Sequence, residues 1–198
     1  MQFHACTQPL LLSQDKFVEC SIYKDEAINV DLDQFRRLPF NLDKGQISRW
    51  YFYVFGISAD LCKPWIKVDA NQDMIDYIFI ARSYRYRTPG IDYSFLKRYS
   101  KIAFVGVEEE FKEMKRCIPH LEYRRVKDFL ELAKVIAGSK FFIGNQSFPF
   151  SLAEGLKCKR ILEISYNYPN VVVTGSNSYD FLFQPQFEKI VEKLYAEA

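Results

Sequence analysis

The chain has 198 residues, 48% of them hydrophobic and 26% charged, with a net charge of +2. That length supports one good core or two small ones, and the composition is ordinary for a soluble globular protein. The near-neutral balance argues against a nucleic-acid partner. No apolar run reaches the roughly 20 residues of an integral membrane segment, and the N-terminus lacks the charged and apolar regions of a signal peptide.

The five cysteines form no CxxC pair, and the chain has only two histidines, His4 and His120. Zinc is therefore not expected, and free thiols in a reducing cytoplasmic setting are the simplest reading. Residues 1–70 show no βαβ series. Leu10 to Leu12 with Phe17 and Val18 give a short helix-like pattern, and 21–23 and 27–30 are extended candidates. Asp31-Leu32-Asp33 is a D-x-D string, which holds a divalent metal in some glycosyltransferases. Here Asp33 reads as the cap of a helical turn, which Leu38-Pro39-Phe40-Asn41 breaks. Residues 50–55 form an aromatic run that predicts a packed helix closed by Gly56.

From residue 71 the pattern becomes regular. Strands are predicted at 77–81, 101–105, 121–126, 140–143 and 160–164, with a sixth at 171–173. Helices are predicted at 92–99, 108–117, from Asp128 to Gly138, from Pro149 to about Lys157, and at 186–196. In the helix at 108–117, Glu108, Glu109 and Glu110 open the first turn and Lys115 and Arg116 close the last, as the helix dipole favours. This alternation predicts an α/β fold with a doubly wound, Rossmann-like parallel sheet over 71–198, and an N-terminal arm or partial domain over 1–70. Ligands of such folds sit beyond the carboxyl ends of the strands near the switch point. That rule selects the loops at 82–87, 106–109 and 144–149, and the region after Ile164.

Two of these loops suit an anion. Gly144, Asn145, Gln146 and Ser147 turn the chain from strand to helix, and backbone N–H groups at a helix N-terminus attract phosphate. Phe148 and Pro149 complete that turn, and Glu154 lies far enough into the helix to accept from a ribose. The same residues also suit a plain strand–helix turn with Ser147 as cap. Arg82, Arg85 and Arg87 follow a buried strand, and guanidinium groups bind phosphate in a bidentate manner. Arg82, nearest the strand, is the best placed. No Ser/His/Asp or Cys/His arrangement, G-x-G-x-x-G or G-x-x-x-x-G-K-[ST] string occurs, so no catalytic residue is assigned.

The string AKVIAGSKFFIGNQSFPFSLAEGLKCKRILEI resembles the donor-binding half of GT-B glycosyltransferases, with the nearest likeness to the ADP-heptose lipopolysaccharide heptosyltransferases of family nine. Gly144, Asn145, Ser147, Pro149, Leu152 and Ala153 match that family's G-N-D-[ST]-G-P-x-H-L-A pattern. Gln146 stands in place of the acid, Phe148 of the glycine and Ser151 of the histidine. The resemblance implies a nucleotide-sugar donor, an inverting transfer to a glycan or lipid-linked acceptor, and neither metal nor cofactor. The diphosphate would lie on Arg82, Arg85 and residues 144–149, with the ribose on Glu154. It further implies that the acceptor half lies outside these residues, or that the chain is a reduced form. A non-catalytic nucleotide-binding module and an interaction domain are the competing expectations.

Overall fold

The computed structural model describes residues 3–39, 45–168 and 171–197. Six parallel strands run β1 Ile78–Ala81, β2 Ile102–Phe104, β3 Glu122–Tyr123, β4 Phe141–Asn145, β5 Arg160–Glu163 and β6 Ser178–Phe181. Their order in the sheet is β3-β2-β1-β4-β5-β6. This is the doubly wound order of dinucleotide-binding folds, with the switch point between β1 and β4. The described helices are α1 Phe3–Leu12, α2 Ile47–Phe55, α3 Glu108–Cys117, α4 Phe129–Gly138, α5 Phe148–Leu156 and α6 Gln184–Ala196.

The central strands are apolar throughout because both faces are covered. Ile78, Ile80, Ile102, Phe104, Phe141 and Ile143 belong to one core, together with Met114 and Ile118 from α3 and its end and Phe187, Val191 and Leu194 of α6. Phe79, Ala81, Ala103, Val105 and Phe142 alternate into the other, against Leu132 and Ile136 of α4, Phe150 and Ala153 of α5, and Leu10 of α1. Residues 61–71 are stitched to this second face. Trp65 and Ile66 donate their N–H groups to Gly155 O at 3.0 and 3.1 Å, and Asn71 N–H donates to Lys134 O at 3.0 Å. Two glycines permit that approach. A Cβ at Gly138 would lie 2.0 Å from Asn71 O, and one at Gly155 2.6 Å from Ile66 Cδ1.

Several predicted boundaries move. The sixth strand is Ser178–Phe181, not 171–173. Val171 and Val173 instead pack as coil against the α4–α5 core. The third strand shrinks to two residues at the sheet edge, where only β2 pairs with it. The helix expected at 92–99 is a 3-10 turn, Ser94–Arg98. β4 runs through Gly144 to Asn145 because both continue the ladder with β5. The candidates at 21–23 and 27–30 are coil. Asp31, not Asp33, caps the 3-10 turn Leu32–Arg37, accepting from Asp33 N–H. The aromatic run does form α2, closed by Gly56 in the left-handed region, but none of its residues is fully buried. Tyr51 packs on Phe35 with ring centroids 4.5 Å apart. Of the predicted break at 38–41, Phe40 and Asn41 lie outside the described residues. No helix among the described residues is long and apolar enough to cross a membrane.

Candidate functional site

A cleft of about 480 Å³ opens beyond the carboxyl ends of β1 and β2, at the switch point. Its lining comes from four junctions. The exit of β1 gives Arg82, Ser83 and Arg85; the exit of β2 gives Gly106, Val107 and Glu110; the β3–α4 loop gives Val126, Lys127, Asp128 and Phe129; and the α5 N-terminus gives Ser147, Phe148 and Pro149. Phe3 and Cys6 of α1 complete it.

The floor is fixed by side chains pointing away from the cleft. Asn145, fully buried, donates from Nδ2 to Ser83 O at 2.7 Å and accepts from Ser83 N–H at 3.1 Å. This clasp joins the exits of β4 and β1 at the switch point. Gln146 faces the other way. Its Oε1 accepts from Ser165 N–H at 2.8 Å, and its Nε2 donates to Val171 O at 3.1 Å and to Tyr168 O. An amide serves here because the loop offers both a donor and acceptors, which a carboxylate could not match. Gly144 sits in the β4 ladder, where a Cβ would meet Phe142 at 2.8 Å. It therefore shapes the floor instead of lining the cleft.

Arg82 borders the cleft, but its charge is already matched. It forms a bidentate pair with Glu163, Nε to Oε2 at 2.7 Å and Nη2 to Oε1 at 2.8 Å. Thr88 N–H and the Tyr93 hydroxyl also donate to Glu163, at 2.7 and 2.9 Å. Burial opposes the Arg82 charge, yet the Glu163 hydrogen bonds and the charges of Tyr93, Glu163 and Glu113 together outweigh it and hold the guanidinium pKa above its usual value. Burial and the Glu163 charge push the Tyr93 phenol well up. Arg87, the third arginine of the loop, pairs with Glu113 at 2.6 Å. Arg85 differs from both. It is exposed, lines the cleft, rests on the Tyr86 ring at 4.6 Å, and pairs with no carboxylate among the described residues.

Glu154 lies elsewhere. Its Oε2 accepts from Arg160 Nε at 2.5 Å; its Oε1 accepts from Thr174 Oγ1 at 2.6 Å, Thr174 N–H at 3.1 Å and Lys157. The carboxylate is buried and saturated, so its placement gives the ribose expectation no support.

The cleft has both polar and aromatic lining. Among the polar groups, Ser147 is the N-cap of α5, and its hydroxyl makes no capping hydrogen bond. Ser83 Oγ is buried with no hydrogen-bond partner among the described residues. Glu110 accepts from Tyr84 N–H at 3.0 Å, and burial raises its pKa above the ordinary carboxylate value. Asp128 is committed to capping α4, accepting from Glu131 N–H at 2.8 Å. Phe3, Phe129 and Phe148 supply the aromatic lining. The structure thus brings Arg82, Arg85, Ser147, Phe148 and Pro149 to one rim, and leaves Gly144, Asn145, Gln146 and Glu154 off it. Sequence reasoning passed over Glu110, Lys127, Phe129 and Phe3. The first three follow strand ends, the signal that selected the other loops; Phe3 carried none.

Sheet order and cleft together define a doubly wound, Rossmann-like α/β protein with a cleft at the switch point. No family model matches the chain, and no curated protein does. Among solved structures, it is similar to a family 9 glycosyl transferase from Veillonella parvula, with a TM-score of 0.51 and 11% identity. The match covers 78% of this chain and 61% of that one. The fold is therefore glycosyltransferase family 9-like, and the chain spans about three fifths of that protein's length.

Proposed function

We propose that this chain binds a nucleoside-diphosphate sugar in the switch-point cleft, as the donor-binding part of a glycosyltransferase of the heptosyltransferase kind. The observation that carries this is the polar lining of the cleft. A guanidinium with no carboxylate partner among the described residues (Arg85), a buried hydroxyl with no hydrogen-bond partner among them (Ser83) and the N-terminus of α5 at Ser147, without a side-chain cap, all line it. Such a set suits a diphosphate: a helix N-terminus and an arginine both favour anions, and a buried hydroxyl needs a partner. In this reading Arg82, Asn145 and Gln146 hold the frame, and Arg85, Ser83 and Ser147 contact the ligand. Transfer of the sugar to a glycan or lipid-linked acceptor would leave charge on the departing diphosphate. The same groups would stabilise that charge without a metal.

One observation favours a second reading, a nucleotide-binding module without turnover. Of the cleft carboxylates, Asp128 is used as a cap and Glu110 is bonded to Tyr84 N–H. Neither stands free as a general base. Calorimetric titration with a panel of nucleoside diphosphates and their sugars, followed by product analysis, tests both. Binding with sugar transfer or donor hydrolysis supports the enzyme. Binding without either selects the module. A folded protein that binds none of them overturns both and leaves an interaction domain.

A further inference from the structure

We infer that α1 is part of the ligand cleft and that Phe3 belongs to a stacking platform for the nucleobase. This rests on the nucleotide reading above and adds which end of the ligand the aromatic rings receive.

The platform is built from three distant segments. Phe3 of α1 meets Phe129 of α4 edge-on, centroids 5.6 Å apart. Phe129 meets Phe148 of α5 at 4.3 Å. All three rings line the cleft. Phe3 is 68% exposed and Phe148 39% exposed, so both keep ring surface open where they line it. Aromatic rings prefer to bury their surface, and an open apolar patch inside a concave cleft marks a binding surface. Core packing does not require Phe3. α1 is seated by Leu10, buried in the α4–α5 core, and by Cys6. Gln14, just beyond it, is bonded twice to the Lys67 backbone, accepting at 2.8 Å and donating at 3.1 Å. Phe3 is thus held in position by the rest of its helix.

The mixed lining of the cleft selects the ligand class. Arg85, Ser83 and the α5 N-terminus offer an anion seat, and the rings, inclined 65° and 46° to one another, offer apolar faces and edges in the same cavity. A nucleoside diphosphate joins an anionic group to an aromatic one, and every base presents a π-face to a phenyl ring.

The test uses the full chain and calorimetric titration with ADP, UDP, GDP, geranyl diphosphate and inorganic pyrophosphate. Phe3→Leu keeps apolar bulk and removes the ring; Phe3→Tyr restores a ring. Phe3→Leu should weaken the best nucleoside diphosphate by roughly tenfold, the loss of one stacked ring. Pyrophosphate affinity and melting temperature should stay unchanged, and Phe3→Tyr should recover nucleotide binding. Equal nucleotide affinity in wild type and Phe3→Leu overturns the platform and leaves the nucleotide reading standing. Parallel loss of nucleotide and pyrophosphate affinity overturns it too, because Phe3 then acts only through cleft shape. Geranyl diphosphate binding tighter than any nucleotide overturns it in favour of an aliphatic chain on the same rings. No nucleotide binding at all overturns this inference together with the reading beneath it.

Discussion

Arg82 and Glu163 close a bidentate ion pair, 2.7 and 2.8 Å, above the carboxyl end of a strand that neither belongs to. Arg82 follows β1, Glu163 ends β5, and β4 lies between those strands in the sheet. The pair therefore bridges the two neighbours of the strand that leads into the cleft's helix. Both side chains are nearly or fully out of water, 10% and 0% exposed. Removing one partner leaves an uncompensated buried charge, which costs about 3–5 kcal/mol. Arg82→Ala should lose stability on that scale in urea unfolding. Replacing both residues by apolar ones of similar size should cost much less than the sum of the single changes. A cost for Arg82→Ala near zero would show that the pair does not hold the rim.

Arg85 should behave in the opposite way. It is exposed and unpaired among the described residues, so Arg85→Ala should change stability by no more than about 0.5 kcal/mol. A charge-assisted hydrogen bond contributes about 1.5–3 kcal/mol, so diphosphate affinity should fall by roughly tenfold or more. Arg124→Ala is the control, since Arg124 lies 3.7 Å from Glu131 and outside the cleft lining. Equal affinities for the two variants would remove Arg85 from the site.

Glu154 should prove structural. Arg160 is fully buried and Lys157 nearly so, and both rely on this carboxylate. Glu154→Gln should therefore lower the urea midpoint by the equivalent of about 3 kcal/mol or more, while any protein still folded keeps its nucleotide affinity. The reverse outcome, intact stability with lost affinity, would restore Glu154 to the ligand.

These contrasts show what the sequence could and could not reveal. Strands such as 77–81 and 140–143 were legible because a strand covered on both faces must be apolar throughout. The switch-point location followed from the alternation alone. The role of each polar residue at the rim was not legible. Arg82 and Arg85 read alike as arginines after a buried strand, and only the distant Glu163 separates them. Glu154 sits at a spacing that suits a ribose, yet Arg160 and Thr174, brought beside it by the β5 and β6 crossovers, take its carboxylate. Phe3 lies far in sequence from every cleft loop, and no local pattern links it to Phe129. Long-range partners decide such roles, and spacing carries no record of them.

Glu110 gives the cleft a pH dependence. Burial raises its pKa above the ordinary 4.5, and the neighbouring charges of Glu109 and Glu113 add to this. The Tyr84 N–H and the Arg87 charge oppose it without reversing it. The folded protein thus holds this proton to higher pH than the unfolded chain does. Its contribution to stability is fully present below pH 4.5 and is lost as pH rises through the raised folded value. Glu110→Gln removes the titration and keeps an oxygen for Tyr84 N–H. The variant's stability relative to wild type should therefore grow as pH climbs through that window and level off above it, measured by urea unfolding at several pH values. The charge also matters to an anion. Once ionised, Glu110 repels a diphosphate in the same cleft, so Glu110→Gln should bind pyrophosphate more tightly than wild type above the window. Below it, where wild type is protonated, the two should converge. An affinity difference that stays constant across the whole pH range would show that the carboxylate does not sense the bound anion, and would move the anion away from Glu110.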